Sequence, residues 1–510
     1  MARIVVVGAG LGGLAAAARL AAGGHWVTVC EQAPRVGGKL GVLARDGFVF
    51  DTGPSLLTLP AVYRDLFLAT GGPLEAELAL EPVDPVCSYR FADGSRLTMP
   101  NASRTRMAQA WDDLAGPGAG DDWTAFLGRA GAIWDATRQT FLSSPLAGGR
   151  TLLAQARRVR DLRTVAPWRS LRDLGRRYLR SPYQRTVLDR YATYTGSDPR
   201  RAPAALATVP YVEQTFGAWY VPGGLRRLAD AVLARAVERG AVVRVGAPVT
   251  EILLEGERRA AGVRLADGER LPADVVVANA DAAAVYRDLL PRAVGAGPLR
   301  ALRRGQPSLS GFVLMLALRG RTPGLAHHTV LFPGDYDDEF DSVFGTGTHR
   351  DGGPRPVPDP TVYVSAPDDR ALRPDANCEA WFVLVNAPRQ VRAGEEEATG
   401  GRGVEWDAAG LRSTYADRVL AVMAQRGLDV RDRVLWREIR TPADLERDTG
   451  SVGGSIYGTS SNGVRAAFVR PANRSPVPGL FLVGGSSHPG GGLPLVGLSA
   501  GIVADLVGPA

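Results

Sequence analysis

Residues 8–24 read GAGLGGLAAAARLAAGG and place glycines at positions 8, 10 and 13 in the spacing G-x-G-x-x-G. The β-branched run Ile4–Val7 precedes the stretch, and Ala- and Leu-rich residues of high helix propensity complete it. Two interpretations fit this pattern. With Arg3 as a positive start, the stretch resembles a secretion signal, whereas strand, glycine turn and helix are typical of a phosphate-binding crossing.

The residues that follow favour the second interpretation. A further β-branched segment, Trp26–Cys30, ends at Glu31, which lies 23 residues after Gly8. This separation is close to the roughly 20 residues at which an acidic side chain meets a ribose hydroxyl in dinucleotide folds. Strand, turn, helix, strand and acid in this register are more specific than the glycines alone. They predict a βαβ dinucleotide-binding unit.

Each glycine has a physical role in such a crossing. Gly8 permits the tight turn, Gly10 lets the backbone approach the pyrophosphate, and Gly13 lets the helix pack close to the sheet. The N-terminal N–H groups of the helix and its positive dipole end would then face the phosphates.

A second strand, glycine loop and helix are predicted at 479–508, which read GLFLVGGSSHPGGGLPLVGLSAGIVADLVG. A chain whose first and last crossings meet one cofactor is typical of large flavoproteins, and less so of simple NAD dehydrogenases. We therefore predict that the nucleotide is FAD.

The remaining pattern predicts an α/β protein with a Rossmann-like FAD-binding domain, an inserted substrate domain and a helical subdomain that forms a membrane-facing surface or a lid. The expected division is an FAD-binding domain over 1–75, 220–290 and 470–510, a substrate-binding domain over 76–145 and 291–469, and a helical basic subdomain over 146–219. The stretch YRFADGSRLTM, residues 89–99, predicts a hairpin that turns at Asp93-Gly94.

The composition is that of an ordinary globular protein. Of 510 residues, 45% are hydrophobic and 22% charged, and there is no uninterrupted apolar stretch of about 18 residues from which a spanning helix could form. Three widely separated cysteines, Cys30, Cys87 and Cys378, favour a reducing, cytoplasmic setting. With five histidines and no cluster of ligands, we expect no metal site.

The net charge of +7 is unevenly distributed. Residues 150–201 contain 14 arginines and 4 aspartates, a net charge of +10, which leaves −3 for the remainder. Apolar residues at mostly helical spacing, among them Leu152, Leu171 and Leu174, lie between these arginines. Such a basic amphipathic segment fits an anionic membrane surface, and a lid packed on the protein's own core is the alternative. No recognised nucleic-acid-binding module accompanies it, so we expect no nucleic-acid partner.

Three further motifs carry a family resemblance. The sequence R-x-G-G-K occupies 35–39, FVFDTGPSLL occupies 48–57 and LFLVGGSSHPGGGLPLV occupies 480–496. They resemble the R-x-G-G-R/K signature of the amine-oxidase-like superfamily and two motifs of the carotenoid (phytoene) desaturase family of FAD-dependent oxidoreductases. Residues 191–204 and 212–225 are similar to desaturases of acyclic hydroxylated carotenoids in particular. The resemblance extends over nearly the whole chain.

The resemblance implies how FAD is held. Glu31 would bind the adenosine ribose, the strand with Val249 would flank the adenine, and the motif residues around Gly38, Gly53 and Gly484 would surround the flavin. The residues implied to bind FAD are Gly8, Ala9, Gly10, Leu11, Gly13, Glu31, Gln32, Gly38, Lys39, Gly53, Pro54, Ser55, Val249, Gly484, Gly485, Gly492, Leu493, Pro494 and Leu495.

The resemblance also implies an activity. It is desaturation of an acyclic, 1-hydroxylated carotenoid by hydride transfer to the flavin, with a quinone or dioxygen as final electron acceptor. Phytoene desaturases and carotenoid terminal-methyl oxygenases belong to the same family, and a non-catalytic isoprenoid-binding escort protein shares the fold. An amine oxidase is less consistent, because the only lysine, Lys39, lies in a nucleotide motif.

The chemistry of desaturation requires no acid–base dyad, and the sequence presents none. Glu213 and His488 are nevertheless candidates for catalytic residues, and each has an alternative interpretation as a purely structural residue. Because the substrate resides in a membrane, we expect a cytoplasmic protein that associates peripherally with the inner face of the cell membrane through residues 150–201.

Overall fold

The computed structural model describes residues 1–146, 163–256, 258–392, 402–463, 466 and 470–510. The strands in this part of the chain are β1 (Arg3–Val7), β2 (Trp26–Cys30), β3 (Val42–Arg45), β4 (Phe48–Asp51), β5 (Leu57–Thr58), β6 (Glu81–Pro82), β7 (Cys87–Arg90), β8 (Arg96–Met99), β9 (Ala218–Tyr220), β10 (Val242–Arg244), β11 (Val249–Glu255), β12 (Arg259–Leu265), β13 (Arg270–Pro272), β14 (Val275–Ala278), β15 (Ser310–Arg319), β16 (His328–Leu331), β17 (Val362–Ser365), β18 (Cys378–Ala387), β19 (Val434–Arg440) and β20 (Leu480–Leu482).

The α-helices of the same residues are α1 (Leu11–Ala22), α2 (Ala61–Thr70), α3 (Arg104–Ala115), α4 (Ala119–Thr137), α5 (Leu171–Tyr178), α6 (Pro182–Arg190), α7 (Thr208–Phe216), α8 (Arg226–Glu238), α9 (Ala282–Asp288), α10 (Arg292–Leu302), α11 (Tyr336–Phe344), α12 (Leu411–Gln425), α13 (Pro442–Thr449) and α14 (Leu493–Val507). Short 3₁₀ segments, such as Tyr191–Thr195 and Ala204–Ala207, connect some of them.

A five-stranded parallel sheet, in the order β10-β2-β1-β14-β20, forms the centre of the nucleotide-binding part. Both faces of β1 are buried: Ile4 and Val6 pack in a cluster with the alanines of α1, whereas Val5 and Val7 pack on the opposite face. This explains why the strand is a continuous β-branched run rather than an alternating one. The predicted strand, glycine turn and helix are confirmed.

A seven-stranded sheet, in the order β19-β15-β18-β17-β16-β7-β8, forms the second layer of the molecule. Its strands β7 and β8 pair from Cys87 opposite Met99 to Arg90 opposite Arg96, so the predicted hairpin is confirmed. The hairpin β3–β4 packs on this sheet through Phe48. Fold class is therefore α/β with a Rossmann-like unit, as the sequence predicts.

The strands of the parallel sheet all come from the segments assigned to the FAD-binding domain, and those of the seven-stranded sheet from the segments assigned to the substrate-binding domain. Strand β4, assigned to the first of these domains, packs on the sheet of the second. The division into three units stays a prediction.

The basic segment 150–201 is described from residue 163 onward, and its beginning, including Leu152, lies outside the described residues. In α5, Leu171 and Leu174 are buried in a core cluster of the protein itself. The expectation that these two leucines face a membrane is therefore wrong, because the apolar face of α5 is covered by the chain's own core. No helix in the described part of the chain is long and apolar enough to span a bilayer.

Candidate cofactor and substrate cavity

One cavity of about 960 Å³ is lined by residues of both the parallel and the seven-stranded sheet. Its wall includes Gly10 and Gly12 of the first glycine crossing and Gly484 and Gly492 of the second. This volume is near the upper end of the roughly 300–1,000 Å³ that is usual for cofactor and ligand sites. The two ends of the sequence therefore meet at a single site.

The first crossing has the geometry that its glycines predict. Gly8 has φ of +94°, which a residue with a side chain rarely adopts, and a Cβ on Gly13 would lie 2.3 Å from the Gly8 carbonyl oxygen. Gly10 is the N-cap of α1, and its own side chain, a hydrogen, cannot cap the helix. The first N–H groups of α1 thus begin at the cavity wall, where they can bind an anion.

Glu31 lies at the carboxyl end of β2 and lines the cavity. The backbone N–H of Ala9 donates to its Oε2 at 2.6 Å, and that of Ala33 donates to its Oε1 at 2.9 Å. These two bonds fix the carboxylate and leave lone pairs on both oxygens for further donors. Ala9, which we expected to contact FAD, therefore positions Glu31 through its backbone.

Asn279, which the sequence analysis missed, holds the two crossings together. It follows β14, the strand between β1 and β20, and its side-chain amide donates to the carbonyl oxygen of Val483 at 3.0 Å. A Cβ on Gly10 would lie 2.7 Å from its Oδ1, and a Cβ on Gly484 would lie 2.4 Å from its Nδ2. Any larger residue at either position would therefore collide with Asn279, in addition to filling space that a phosphate needs.

The second crossing presents another helix N-terminus to the same cavity. Gly492, with φ of +107°, is the N-cap of α14, and Pro494 lies in the first turn, where its missing N–H costs nothing. The buried guanidinium of Arg470 donates to the carbonyl oxygen of Gly485 at 2.7 Å and to that of Thr459 at 2.6 Å. Arg470, also missed from the sequence, therefore fixes the glycine loop.

Lys39 and the segment at 53–55 form the wall between the two crossings. The Lys39 ammonium donates to the carbonyl oxygens of Ser455 at 2.9 Å and Ile456 at 2.7 Å. Burial lowers the pKa of Lys39 to about 8, and the carboxylate of Asp281 opposes that shift. A Cβ on Gly53 would lie 1.9 Å from the Lys39 carbonyl oxygen, so only glycine fits there.

Most of the residues predicted to bind FAD lie on one surface. Those that line the cavity are Gly8, Gly10, Leu11, Glu31, Gln32, Gly38, Lys39, Gly53, Pro54, Ser55, Val249, Gly484, Gly485, Gly492, Leu493, Pro494 and Leu495. Ala9 and Gly13 lie behind them, where Ala9 bonds Glu31 and Gly13 allows α1 to pack closely.

The catalytic candidate His488 lies behind the wall of the cavity. Its Nε2 is 3.0 Å from the carbonyl oxygen of Ser144, and its ring packs edge-on against Phe141, which does line the cavity. Burial lowers the pKa of His488, which favours the neutral ring. This position supports a structural role, because Phe141, against which the imidazole packs, lines the cavity, whereas His488 itself does not.

The catalytic candidate Glu213 lines the cavity from α7 and is buried. The hydroxyl of Tyr191 donates to its Oε1 at 2.6 Å, and that of Tyr194 lies 3.5 Å from its Oε2. Burial raises the pKa of Glu213, while the Tyr191 hydrogen bond and the charge of Arg190 oppose the shift. Tyr194, Arg190 and Tyr363 were not singled out from the sequence.

The residues present fit FAD. Helices α1 and α14 both begin at the cavity, and neither Gly10 nor Gly484 has room for a side chain. The Glu31 carboxylate is held in place at the end of β2. Those groups suit a pyrophosphate and a ribose, respectively. Fold and site together define a dinucleotide-binding oxidoreductase of the flavoprotein class.

The sequence profile of the family described as flavin containing amine oxidoreductase matches residues 11–357. At 34% identity, the chain is similar to the 4,4'-diapolycopene oxygenase of Methylomonas sp, over 99% of this chain and 98% of that protein. At the same identity it is similar to the hydroxyneurosporene desaturase of Rubrivivax gelatinosus, over 99% of this chain and 92% of that protein. At 33% it is similar to the zeta-carotene-forming phytoene desaturase of Myxococcus xanthus, over 99% and 93%.

Solved structures share the fold at low sequence identity. Putrescine oxidase, bound to putrescine, superposes with a TM-score of 0.63 at 17% identity and 99% coverage of both chains. An oxidoreductase from Methanosarcina mazei superposes with a TM-score of 0.59 at 18% identity, over 99% of this chain and 100% of that chain.

The chain belongs to the flavin containing amine oxidoreductase family and, within it, to the carotenoid desaturase family of FAD-dependent oxidoreductases. It is an FAD-dependent enzyme, which sets aside the alternative of a non-catalytic escort protein. The resemblance inferred from the three motifs is confirmed.

Proposed function

We propose that the protein is a carotenoid desaturase that introduces C=C bonds into an acyclic, 1-hydroxylated carotenoid. The observation that carries the proposal is the cavity itself, which continues from the two glycine crossings into an apolar region. The side chains that form this region come from α4, the π-helical turn Arg138–Leu142 that follows it, the 3₁₀ segment Ala204–Ala207 and α7. They are Trp134, Leu142, Leu206, Val209 and Val212. Such a wall suits a long isoprenoid chain.

The chemistry explains why the wall is apolar. Desaturation removes a hydride equivalent and a proton from neighbouring carbons, and an unactivated C–H group is too weak an acid for any side chain to deprotonate first. FAD, when bound, supplies the two-electron acceptor. The contribution of the chain is then to hold the polyene in one orientation and to exclude water.

The relatives support this reading and leave one second candidate. Two of the three relatives named above are desaturases, and the third, at 34% identity, is an oxygenase. A carotenoid oxygenase is therefore the second candidate, and phytoene desaturation is the variant of the first that acts on an unsubstituted chain.

An incubation of the purified holoenzyme with phytoene, lycopene and a 1-hydroxylated acyclic carotenoid tests the proposal. Each added conjugated double bond moves the absorption bands to longer wavelength, so the preferred substrate is the one whose double bonds form at the highest rate. We expect that substrate to be the 1-hydroxylated carotenoid. Incorporation of oxygen into a terminal methyl group would instead favour the oxygenase, and no reaction with any of the three would contradict the proposal.

We also propose that the protein binds the inner face of the cell membrane peripherally. In the described part of the basic segment, Trp168 is 60% exposed, and Arg163, Arg176 and Arg177 are exposed as well. An exposed tryptophan among arginines suits the headgroup region of an anionic bilayer. A quinone in that bilayer, or dioxygen, would then receive the electrons. Comparing turnover with each of the two identifies the acceptor.

A further inference from the structure

A polar cluster lies in the wall of the cavity, beside the apolar residues that α7 contributes to it. It consists of Arg190 at the end of α6, Tyr194 in the following 3₁₀ segment and Glu213 in α7, and all three line the cavity. The Arg190 guanidinium donates through Nη1 to the Tyr194 hydroxyl at 2.7 Å, and that hydroxyl lies 3.5 Å from Oε2 of Glu213. An unsubstituted hydrocarbon has no group that could bond to any of them.

Arg190 retains most of its hydrogen-bonding capacity. The residue is buried, and the described residues provide its guanidinium with one hydrogen bond, the one to Tyr194. The rings of Tyr194, Tyr363 and Tyr89 lie 4.9, 5.6 and 5.8 Å from Cζ and stabilise its charge. A guanidinium has five N–H donors, and leaving them unpaired in a buried site is costly. The free donors therefore favour an oxygen acceptor in the cavity.

Glu213 offers the complementary group. Its Oε1 accepts the short bond from Tyr191, whereas its Oε2 has, among the described residues, only the long contact to Tyr194. Oε2 can therefore accept a further hydrogen bond beside the donors of Arg190. An alcohol both accepts and donates, so a single hydroxyl can use the two sides of the cluster at once.

The cluster lies close to the segment predicted to flank the flavin. The Tyr363 hydroxyl is 2.6 Å from Oγ of Ser55, and the Arg190 guanidinium stands over the ring of the same tyrosine. A hydroxyl held by the cluster would thus be near the reacting end of the site. The carbons that lie a few bonds from the hydroxyl would then be the ones presented to the cofactor.

We propose that Arg190, Tyr194 and Glu213 bind the terminal hydroxyl of the carotenoid and thereby select both the hydroxylated substrate and the bond to be oxidised. The inference rests on the proposed function, and it assigns the preference for an oxygenated end group to these three side chains. Arg190 donates to the substrate oxygen, Glu213 accepts from the substrate hydroxyl, and Tyr194 orients both.

Two tyrosine variants give a matched test. Tyr191 and Tyr194 both present a hydroxyl to Glu213, but of the two only Tyr194 lines the described cavity. Each variant therefore removes one hydroxyl group that faces the Glu213 carboxylate. Tyr194→Phe removes the hydroxyl on the cavity side, and Tyr191→Phe removes the one on the core side. The measurement is the ratio of kcat/KM for a 1-hydroxylated acyclic carotenoid to that for the unsubstituted carotenoid of equal length, with holoenzymes of equal FAD content.

We expect Tyr194→Phe to lower this ratio by about tenfold or more, mainly through KM for the hydroxylated substrate. Without the Tyr194 hydroxyl, Arg190 and Glu213 are no longer oriented, and the loss of one of their hydrogen bonds to the substrate weakens selectivity by that order. Tyr191→Phe should change the ratio by less than about threefold. Equal ratios in wild type and both variants, or an equal loss in both variants, overturn the assignment while leaving the desaturase function intact. Wild type that oxidises neither carotenoid overturns the proposed function itself.

Discussion

The side-chain amide of Asn279 donates a 3.0 Å hydrogen bond to the carbonyl oxygen of Val483 and so joins the carboxyl ends of β14 and β20. The same side chain lies against Gly10 at the start of α1, where a Cβ would approach its Oδ1 to 2.7 Å. One asparagine thus links the first and last glycine crossings of the chain at the cavity wall.

Asn279→Ala should weaken FAD binding and lower the stability of the protein. The substitution leaves the Val483 carbonyl oxygen without its partner, which costs on the order of 1–3 kcal/mol in a buried site. Asn101→Ala is a control away from the cavity. The Asn101 amide also donates at 3.0 Å to a carbonyl oxygen, that of Ala218, which accepts from the Val83 N–H as well, and its Oδ1 accepts from the Ala218 N–H at 3.0 Å. Titration of both apoproteins with FAD, together with thermal unfolding, separates the two effects. Equal FAD affinities in the two variants would argue against the role given to Asn279.

Gly10→Ala should abolish or strongly reduce flavin content. The added methyl group would collide with Asn279 and occupy the space at the N-terminus of α1 that the pyrophosphate needs. Gly128→Ala, in α4, is the control, because its new Cβ meets no atom of the described residues within 4 Å and a helix gains from the exchange by about 0.5–1 kcal/mol. The measurement is the ratio of flavin to protein absorbance after purification. A yellow Gly10→Ala protein with normal FAD content would contradict this account of the crossing.

These variants also mark what could be predicted from the sequence. Gly8, Gly10, Gly13 and Glu31 were predictable because their roles depend on one local βαβ unit, whose spacing is fixed by strand and helix geometry. The role of Asn279 was not predictable, because it depends on β14 lying between β1 and β20. The order of the strands in the sheet cannot be read from local spacing. The sequence signal of Asn279 was available: it directly follows the buried run Val275–Ala278, at the same carboxyl edge as the first glycines.

The polar cluster escaped prediction for a related reason. Glu213 and Tyr194 lie in stretches that resemble the family, but only Glu213 was selected, and Arg190 comes from a segment that we interpreted through its charge alone. Helix α6 and its 3₁₀ extension bring Arg190 and Tyr194 to the cavity, and no period in the sequence indicates which arginines of a basic segment are turned inward. Leu171 and Leu174 show the same limit, since a helical apolar stripe does not reveal whether core or lipid covers it.

Asp51 should make the stability of the protein depend on pH. Its two carboxylate oxygens accept from the backbone N–H groups of Leu225 at 2.7 Å and Arg226 at 3.0 Å, at the start of α8. Burial raises its pKa from the usual 3.8 to about 6, and these hydrogen bonds only partly oppose the shift. The folded protein therefore binds this proton more tightly than the unfolded chain, and the stability due to protonation is lost as the pH rises through about 6.

The test compares wild type with Asp51→Asn by denaturant unfolding at several pH values. The free energy of unfolding of wild type relative to the variant should fall between about pH 4 and pH 7 and stay constant above that. The loss of hydrogen bonds in the variant adds an offset that does not depend on pH. A difference that is constant over this range, or that increases with pH, would show that the Asp51 carboxyl group is not perturbed as stated.

Binding to anionic liposomes should depend on the exposed arginines at the end of α5. Reversal of two charges, in Arg176→Glu with Arg177→Glu, should weaken co-sedimentation about tenfold or more, since each basic residue near an anionic surface contributes about 1 kcal/mol. Arg292→Glu with Arg300→Glu, both exposed in α10, is the control with the same change in net charge. If the two double variants bind liposomes equally, the exposed arginines of α5 are not part of a membrane-binding surface.

The most direct test of the central claim is a single turnover in the absence of oxygen. The claim is that both glycine crossings hold one FAD, which takes electrons from an acyclic carotenoid in the adjoining cavity. On mixing the yellow holoenzyme with a 1-hydroxylated acyclic carotenoid, we predict that the flavin absorbance bleaches in step with the red shift of the carotenoid, one flavin per double bond formed. A red shift with the flavin still oxidised, or a bound carotenoid that leaves both spectra unchanged, would contradict the claim.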